Sequence, residues 1–124
     1  MKTNKKILII EDDNILIEAL KFQLEDEGYN IVLYLEGMGA FEKAEKEMPD
    51  LILLDLVLPG VHGFDILKKL KDDKKTKNIP VIVATNLGEE SDRKKAMSLG
   101  ALDYFVKASI DLSELSAEIK KVLI

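Results

Sequence analysis

The sequence predicts an α/β domain: five parallel strands in one doubly wound sheet, with five helices on its two faces. Three observations predict it. Short runs such as Ile7-Leu8-Ile9-Ile10, Leu51-Ile52-Leu53-Leu54 and Val81-Ile82-Val83-Ala84 are apolar at every position, the mark of strands covered on both faces. Between these runs lie segments whose apolar residues recur at helical spacing. Strand and helix alternate five times, which calls for right-handed crossovers and a parallel sheet.

Taken in order, the first strand stops at Glu11-Asp12-Asp13. Residues 14–27 form the first helix, with Ile15, Leu16, Ala19, Leu20, Phe22 and Leu24 as apolar positions and Gly28 as its C-terminal cap. Residues 30–35 are the second strand. The second helix covers 37–48, with Ala40, Phe41, Ala44 and Met48 facing inward and Pro49 ending it. The third strand, 51–54, runs into Asp55, followed by a Pro59-Gly60 turn. Phe64, Ile66, Leu67 and Leu70 mark the third helix, and the lysine-rich stretch 71–77 reads as a solvated connection. Residues 80–85 are the fourth strand. The fourth helix, 89–99, has only Ala96, Met97 and Leu99 to anchor it, so it is expected to be of low stability. Residues 103–107 are the fifth strand. The last helix opens on Asp111, with Glu114 three residues on as a capping box and Ile110 meeting Leu115 as a hydrophobic staple; Leu112, Leu115, Ile119 and Val122 form its buried stripe.

Composition bounds the function. A chain of 124 residues with 47% apolar residues is one domain, 1–124, able to build a core unaided. There are no cysteines, which excludes disulfides and thiolate chemistry and is compatible with a reducing cytoplasm. Eighteen basic against 23 acidic residues give a net charge of −5, unsuited to binding nucleic acid directly. No apolar run is long enough to span a membrane, and the four apolar residues after the basic start at 1–6 are too few for a signal peptide. The chain is expected to be either a stand-alone module or a piece of a longer protein.

Five such units fit the flavodoxin-like strand order 2-1-3-4-5, adopted here by analogy with that fold. Ligands in such sheets sit outside the carboxyl ends of the strands, at the switch between the first and third. Glu11-Asp12-Asp13 and Asp55 end those two strands, about 4.8 Å apart. Thr85 ends the fourth strand, and Lys107 ends the fifth with a stem long enough to reach Asp55. The acids alone read first as a cap for the first helix; with Asp55, Thr85 and Lys107 beside them, Asp13 is expected to cap while Glu11 and Asp12 hold an ion. Clustered carboxylates need a cation, and an all-oxygen set suits Mg²⁺. Asp55 is then placed to act as a nucleophile forming an acyl phosphate, with Thr85 and Lys107 on the phosphoryl oxygens.

Over nearly its full length the chain resembles the receiver domains of two-component response regulators. The matching residues are Glu11-Asp12, Asp55 within Leu53-Leu54-Asp55-Leu56-Val57-Leu58-Pro59-Gly60, Thr85, Gly100-Ala101 with Asp103-Tyr104, and Lys107. The resemblance implies that Asp55 takes a phosphoryl group from a sensor histidine kinase or phosphotransfer protein. It implies Asp12 and Asp55 as direct Mg²⁺ ligands, Glu11 through water, and the Val57 carbonyl as a further ligand. It makes Thr85 and Tyr104 a switch pair, Tyr104 turning inward, and makes the fourth helix, fifth strand and fifth helix the face read by an output protein or domain, with dimerisation through that face left open. Such a domain is a cytoplasmic switch rather than an enzyme, catalysing only its own aspartyl phosphorylation and dephosphorylation. The rival from another class is a scaffold of the same fold that binds a partner without phosphorylation. An aspartate-nucleophile phosphohydrolase is disfavoured because Val57 stands where a second aspartate is needed. Two positions depart from the family pattern. Ala108 follows Lys107 in place of a proline with a cis bond; since a non-proline cis bond costs about 3 kcal/mol, the loop is expected to be trans and reshaped, or else strained. Asn86 replaces the usual small residue after Thr85, which bears on access and phosphoryl lifetime. His62 and the runs 68–77 and 93–95 read as solvent-facing.

Overall fold

In the computed structural model, which describes residues 3–124, the elements follow one another as β1 (Lys6–Ile10), α1 (Asn14–Asp26), β2 (Asn30–Tyr34), α2 (Ala40–Glu47), β3 (Leu51–Leu54), β4 (Val57–Leu58), β5 (Val61–His62), α3 (Gly63–Asp72), β6 (Val81–Thr85), α4 (Glu90–Ser98), β7 (Asp103–Val106) and α5 (Leu112–Val122). Met1 and Lys2, part of the basic start, lie outside the described residues. The main sheet is parallel, in the order β2-β1-β3-β6-β7. With the small antiparallel hairpin β4–β5 set aside, this is the predicted order.

The apolar runs are uninterrupted because successive side chains enter two separate cores. Leu8, Ile10, Ile52, Leu54, Val81 and Val83 point to the face covered by α2, α3 and α4. Ile7, Ile9, Leu51, Leu53 and Ile82 point to the face covered by α1 and α5. All are essentially without solvent contact.

The helices correct several expectations. On α1 the buried line is Ile17, Leu20 and Leu24. Ile15 and Phe22 are 85% and 78% exposed: each sits two residues before a core position, about 200° away round the helix. The α2 helix begins three residues later than expected, because Gly39 takes a left-handed φ of 83°. Met48 is not an inward residue: Pro49 disfavours the right-handed region before it, and it turns left-handed and half-exposed as the helix ends. The connection after α3 is not wholly solvated. Thr76 is fully buried, its hydroxyl donating to the Leu70 carbonyl at 2.7 Å, and Lys71 Nζ donates to the Ile79 and Lys77 carbonyls at 2.6 and 3.2 Å. Burial lowers the Lys71 pKa. The last strand stops at Val106; Lys107–Ser109 form a 3₁₀ turn, with no cis peptide among the described residues. Asp111 caps α5 by accepting from the Ser113 N–H at 2.8 Å, and Ile110 packs against the core that holds Leu115.

Candidate functional site

The register brings the strand ends together as the order requires. Ile10 is level with Leu54 on β3, so Glu11 and Asp55 leave adjacent strands side by side, and the Asp55 N–H donates to the Ile10 carbonyl at 3.0 Å. Glu11 and Asp55 are each 3% exposed while Asp12 faces solvent. One carboxylate oxygen from each of Glu11, Asp12 and Asp55 lies within 4.8 Å of the others.

Two buried carboxylates need compensation, and Lys107 supplies part of it. Its Nζ lies 2.7 Å from Glu11 Oε2 and 2.9 Å from Asp55 Oδ2. Burial by itself lowers a lysine pKa, but the hydrogen bonds to Glu11 and then Asp55 outweigh it, and the Lys107 ammonium is held above its ordinary range. Burial raises the Glu11 carboxyl; the Lys107 bond and the Asp13 amide pull it down, and the Asp55 charge adds to the rise. Glu11 Oε2 also accepts from the N–H groups of Asp12 and Asp13 at 3.1 and 3.0 Å. Asp13 stands apart from the cluster: its Oδ1 accepts from the N–H groups of Ile15 and Leu16 at 3.0 and 3.3 Å, capping α1.

Asp55 uses its second oxygen locally, Oδ1 accepting from the Val57 N–H at 3.0 Å. The backbone from Leu56 to Gly63 folds back on itself, with Val57 opposite His62, Leu58 opposite Val61, and the Gly63 N–H donating to the Leu56 carbonyl at 3.0 Å. Sequence reasoning missed this hairpin; Pro59-Gly60 between Val57-Leu58 and Val61 was the available signal. It also missed Lys107 bridging to Glu11. His62 is exposed at the end of β5.

Thr85 is fully buried at the end of β6, and its Oγ1 accepts from the Leu87 N–H at 3.4 Å. Tyr104 points inward at 4% exposure and donates its hydroxyl to the Leu87 carbonyl at 2.6 Å. Leu87 thus joins the two through opposite ends of one residue. Arg93 of α4 donates to the Tyr104 carbonyl at 3.1 Å and lies 5.9 Å from its ring centre. Burial, then the Asp92 charge, raises the Tyr104 pKa. Asn86 faces solvent.

Fold and site together define a doubly wound α/β domain with an oxygen-rich cleft at the carboxyl ends of its strands. The chain belongs to the response regulator receiver domain family, whose model it matches over residues 7–120. It is 37% identical over 118 residues to the phosphate regulon transcriptional regulatory protein PhoB of Rhizobium meliloti, covering 95% of this chain and 52% of that protein. It is likewise 37% identical over 120 residues to the alkaline phosphatase synthesis transcriptional regulatory protein PhoP of Bacillus subtilis, covering 97% of this chain and 49% of that one. The chain therefore spans about half the length of the curated relatives it matches. Among solved structures it superposes, with a TM-score of 0.85 and 25% identity, on the receiver domain of a Pseudomonas aeruginosa sensor histidine kinase that holds a magnesium ion in its active-site cleft, covering 98% of each chain. Glu11, Asp12 and Asp55 form the acidic cluster typical of the family's phosphorylation site. Among the described residues, no helix is long and apolar enough to cross a membrane.

Proposed function

We propose that residues 1–124 act as a single receiver domain, switched by phosphorylation of Asp55 from a histidine kinase or phosphotransfer protein. The observation that carries the reading is the buried Asp55 carboxylate held 2.9 Å from the Lys107 ammonium, inside a three-carboxylate cluster. An Asp55 oxygen attacks the phosphorus of a phosphohistidine; the phosphorus–nitrogen bond breaks, and a mixed anhydride forms on Asp55. The chain's part is positioning and charge. In this reading Lys107 follows the phosphoryl oxygens with its ammonium, and the Thr85 side chain turns to donate its hydroxyl to one of them, leaving the Leu87 N–H behind.

The donor set fits a hard divalent cation, being all oxygen, partly solvated and carrying more negative charge than Lys107 neutralises. Glu11, Asp12, Asp55 and the Val57 carbonyl would hold Mg²⁺. When bound, it supplies positive charge that offsets the repulsion between Asp55 and the incoming phosphoryl oxygens.

The consequence of phosphorylation is read through Leu87. If Thr85 turns to the phosphoryl group, the Leu87 amide loses its acceptor, and the bond from Tyr104 to the same residue is disturbed. The face of α4, β7 and α5 then shifts its population toward a form that an output protein or domain, or a second copy, recognises. The domain works as a cytoplasmic switch and turns over no external substrate beyond its own acyl phosphate. The test is intact mass after incubation with Mg²⁺ and acetyl phosphate. One phosphoryl group is gained by the parent, and none by Asp55→Ala or without Mg²⁺. A parent that gains nothing and does not change on adding beryllofluoride with Mg²⁺ is a scaffold instead.

A further inference from the structure

The backbone that carries Asp55 and Val57 lies against a neighbour that has no side chain. Gly63, the first residue of α3, is buried, and its N–H donates to the Leu56 carbonyl at 3.0 Å. That bond extends the ladder of the β4–β5 hairpin by one rung beyond the Val57–His62 pair. A Cβ placed at Gly63 would overlap the Leu56 Cα and stand 2.7 Å from both the Leu56 carbonyl carbon and its oxygen. These are backbone atoms, so no rotamer change relieves the clash. Leu56 is the single residue between the Asp55 carboxylate and Val57, whose N–H orients that carboxylate at 3.0 Å.

We propose that Gly63 is a positioning residue of the phosphoacceptor site, its missing side chain letting the Leu56 backbone lie where Asp55 and Val57 face one cation. The inference rests on the reading of Asp55 and Val57 as cation ligands. Gly63 does not touch the ion; it acts through Leu56. A side chain there pushes the peptide between the two ligands away from α3, and the spacing of the Asp55 carboxylate and the Val57 carbonyl changes with it. The φ of Gly63 is not left-handed, so its identity follows from close approach alone. Gly60, at the turn of the same hairpin, is the opposite case: it has a φ of 85° and open space around its Cβ position.

The test compares two alanine variants in Mg²⁺ titrations followed by calorimetry and by the NMR shift of the Val57 amide. Gly63→Ala weakens Mg²⁺ binding by about tenfold or more, the scale of changes to groups that orient metal ligands, or about 1.4 kcal/mol. Gly100→Ala is the control. Its φ of 109° and the Lys71 side chain make alanine unfavourable there, so it lowers the unfolding midpoint yet keeps the parent affinity. A folded Gly63→Ala protein with the parent's affinity and Val57 shift overturns the proposal, as does an equal loss in Gly100→Ala. If Gly63→Ala does not fold, amide exchange in the parent decides. Opening of the Gly63–Leu56 bond must then be suppressed by bound Mg²⁺, slowing Gly63 exchange about tenfold at ten times the dissociation constant; unchanged exchange overturns the idea. A parent that binds no Mg²⁺ and gains no phosphoryl group overturns the functional reading itself, a result distinct from a parent that binds beside a variant that binds equally well.

Discussion

Two neighbouring helices on one face of the sheet are held very differently. The α3 helix buries Gly63, Ile66, Leu67 and Leu70, and Lys71 at its end is tied to two carbonyls of the next connection. The α4 helix, of nearly equal length, buries only Ala96; its remaining ties include Arg93 to Tyr104 and a cation–π contact of Lys95 with Phe64. The first helix follows the loop of Asp55 and the second follows the loop of Thr85. The acid that is proposed to accept the phosphoryl group therefore sits on the anchored side, and the hydroxyl proposed to respond to it sits on the loose side. A fixed acceptor and a movable reader is the arrangement a two-state switch needs.

The comparison breaks most visibly in the core of α3. Leu67→Ala is expected to cost 2–5 kcal/mol, the range of about 2–5 for leucine truncations in a packed interior, while Met97→Ala on α4, 39% exposed, costs about 0.5 kcal/mol or less. Urea unfolding measures both, and equal losses mean that α4 is anchored as firmly as α3.

A smaller change comes from Tyr104→Phe, which deletes the hydroxyl bond to the Leu87 carbonyl. About 1 kcal/mol of stability is lost, and amide shifts concentrate between Thr85 and α4, leaving the Asp55 hairpin in place. Shifts that spread to Val57 would make the two sides one rigid unit.

The smallest effect is the pH response of the anchored side. Burial, joined by the Asp55 charge, raises the Glu11 carboxyl above its ordinary 4.5 despite Lys107 and the Asp13 amide. In the metal-free protein Glu11 therefore takes up a proton at a higher pH than an ordinary glutamate, and proton and cation compete for the same group. Mg²⁺ affinity falls as pH drops through this raised pKa, beginning at a higher pH than for an ordinary glutamate, and Glu11→Gln flattens that part of the profile. Titration calorimetry from neutral to mildly acid pH checks the sign; affinity that rises on acidification contradicts it.

The sheet was legible because each central strand has two buried faces, which leaves no polar position in the run. The face of α1 was not, since Ile15, Leu16 and Ile17 are consecutive and apolarity alone does not choose among them. Strand ends placed Glu11, Asp55, Thr85 and Lys107 correctly at one rim, because parallel register fixes where strands stop. What stayed hidden depended on contacts far apart in sequence or on very short elements: the hairpin has two residues per strand, and Lys107 meets Glu11 across 96 positions. Thr76 was hidden for another reason. It lies among lysines, and the bond to a helix carbonyl that satisfies its buried hydroxyl follows no periodicity.

That long-range ion pair also sets an order of events during synthesis. Lys107 follows β7, an edge strand, and reaches past β6 to an acid just after β3 and another just after β1. A chain emerging from the ribosome carries both acids long before the ammonium that bridges them. The bridged arrangement therefore comes into being only when the far edge of the sheet docks, so a half-made chain has the acids in its sequence without the pocket in which Lys107 joins them.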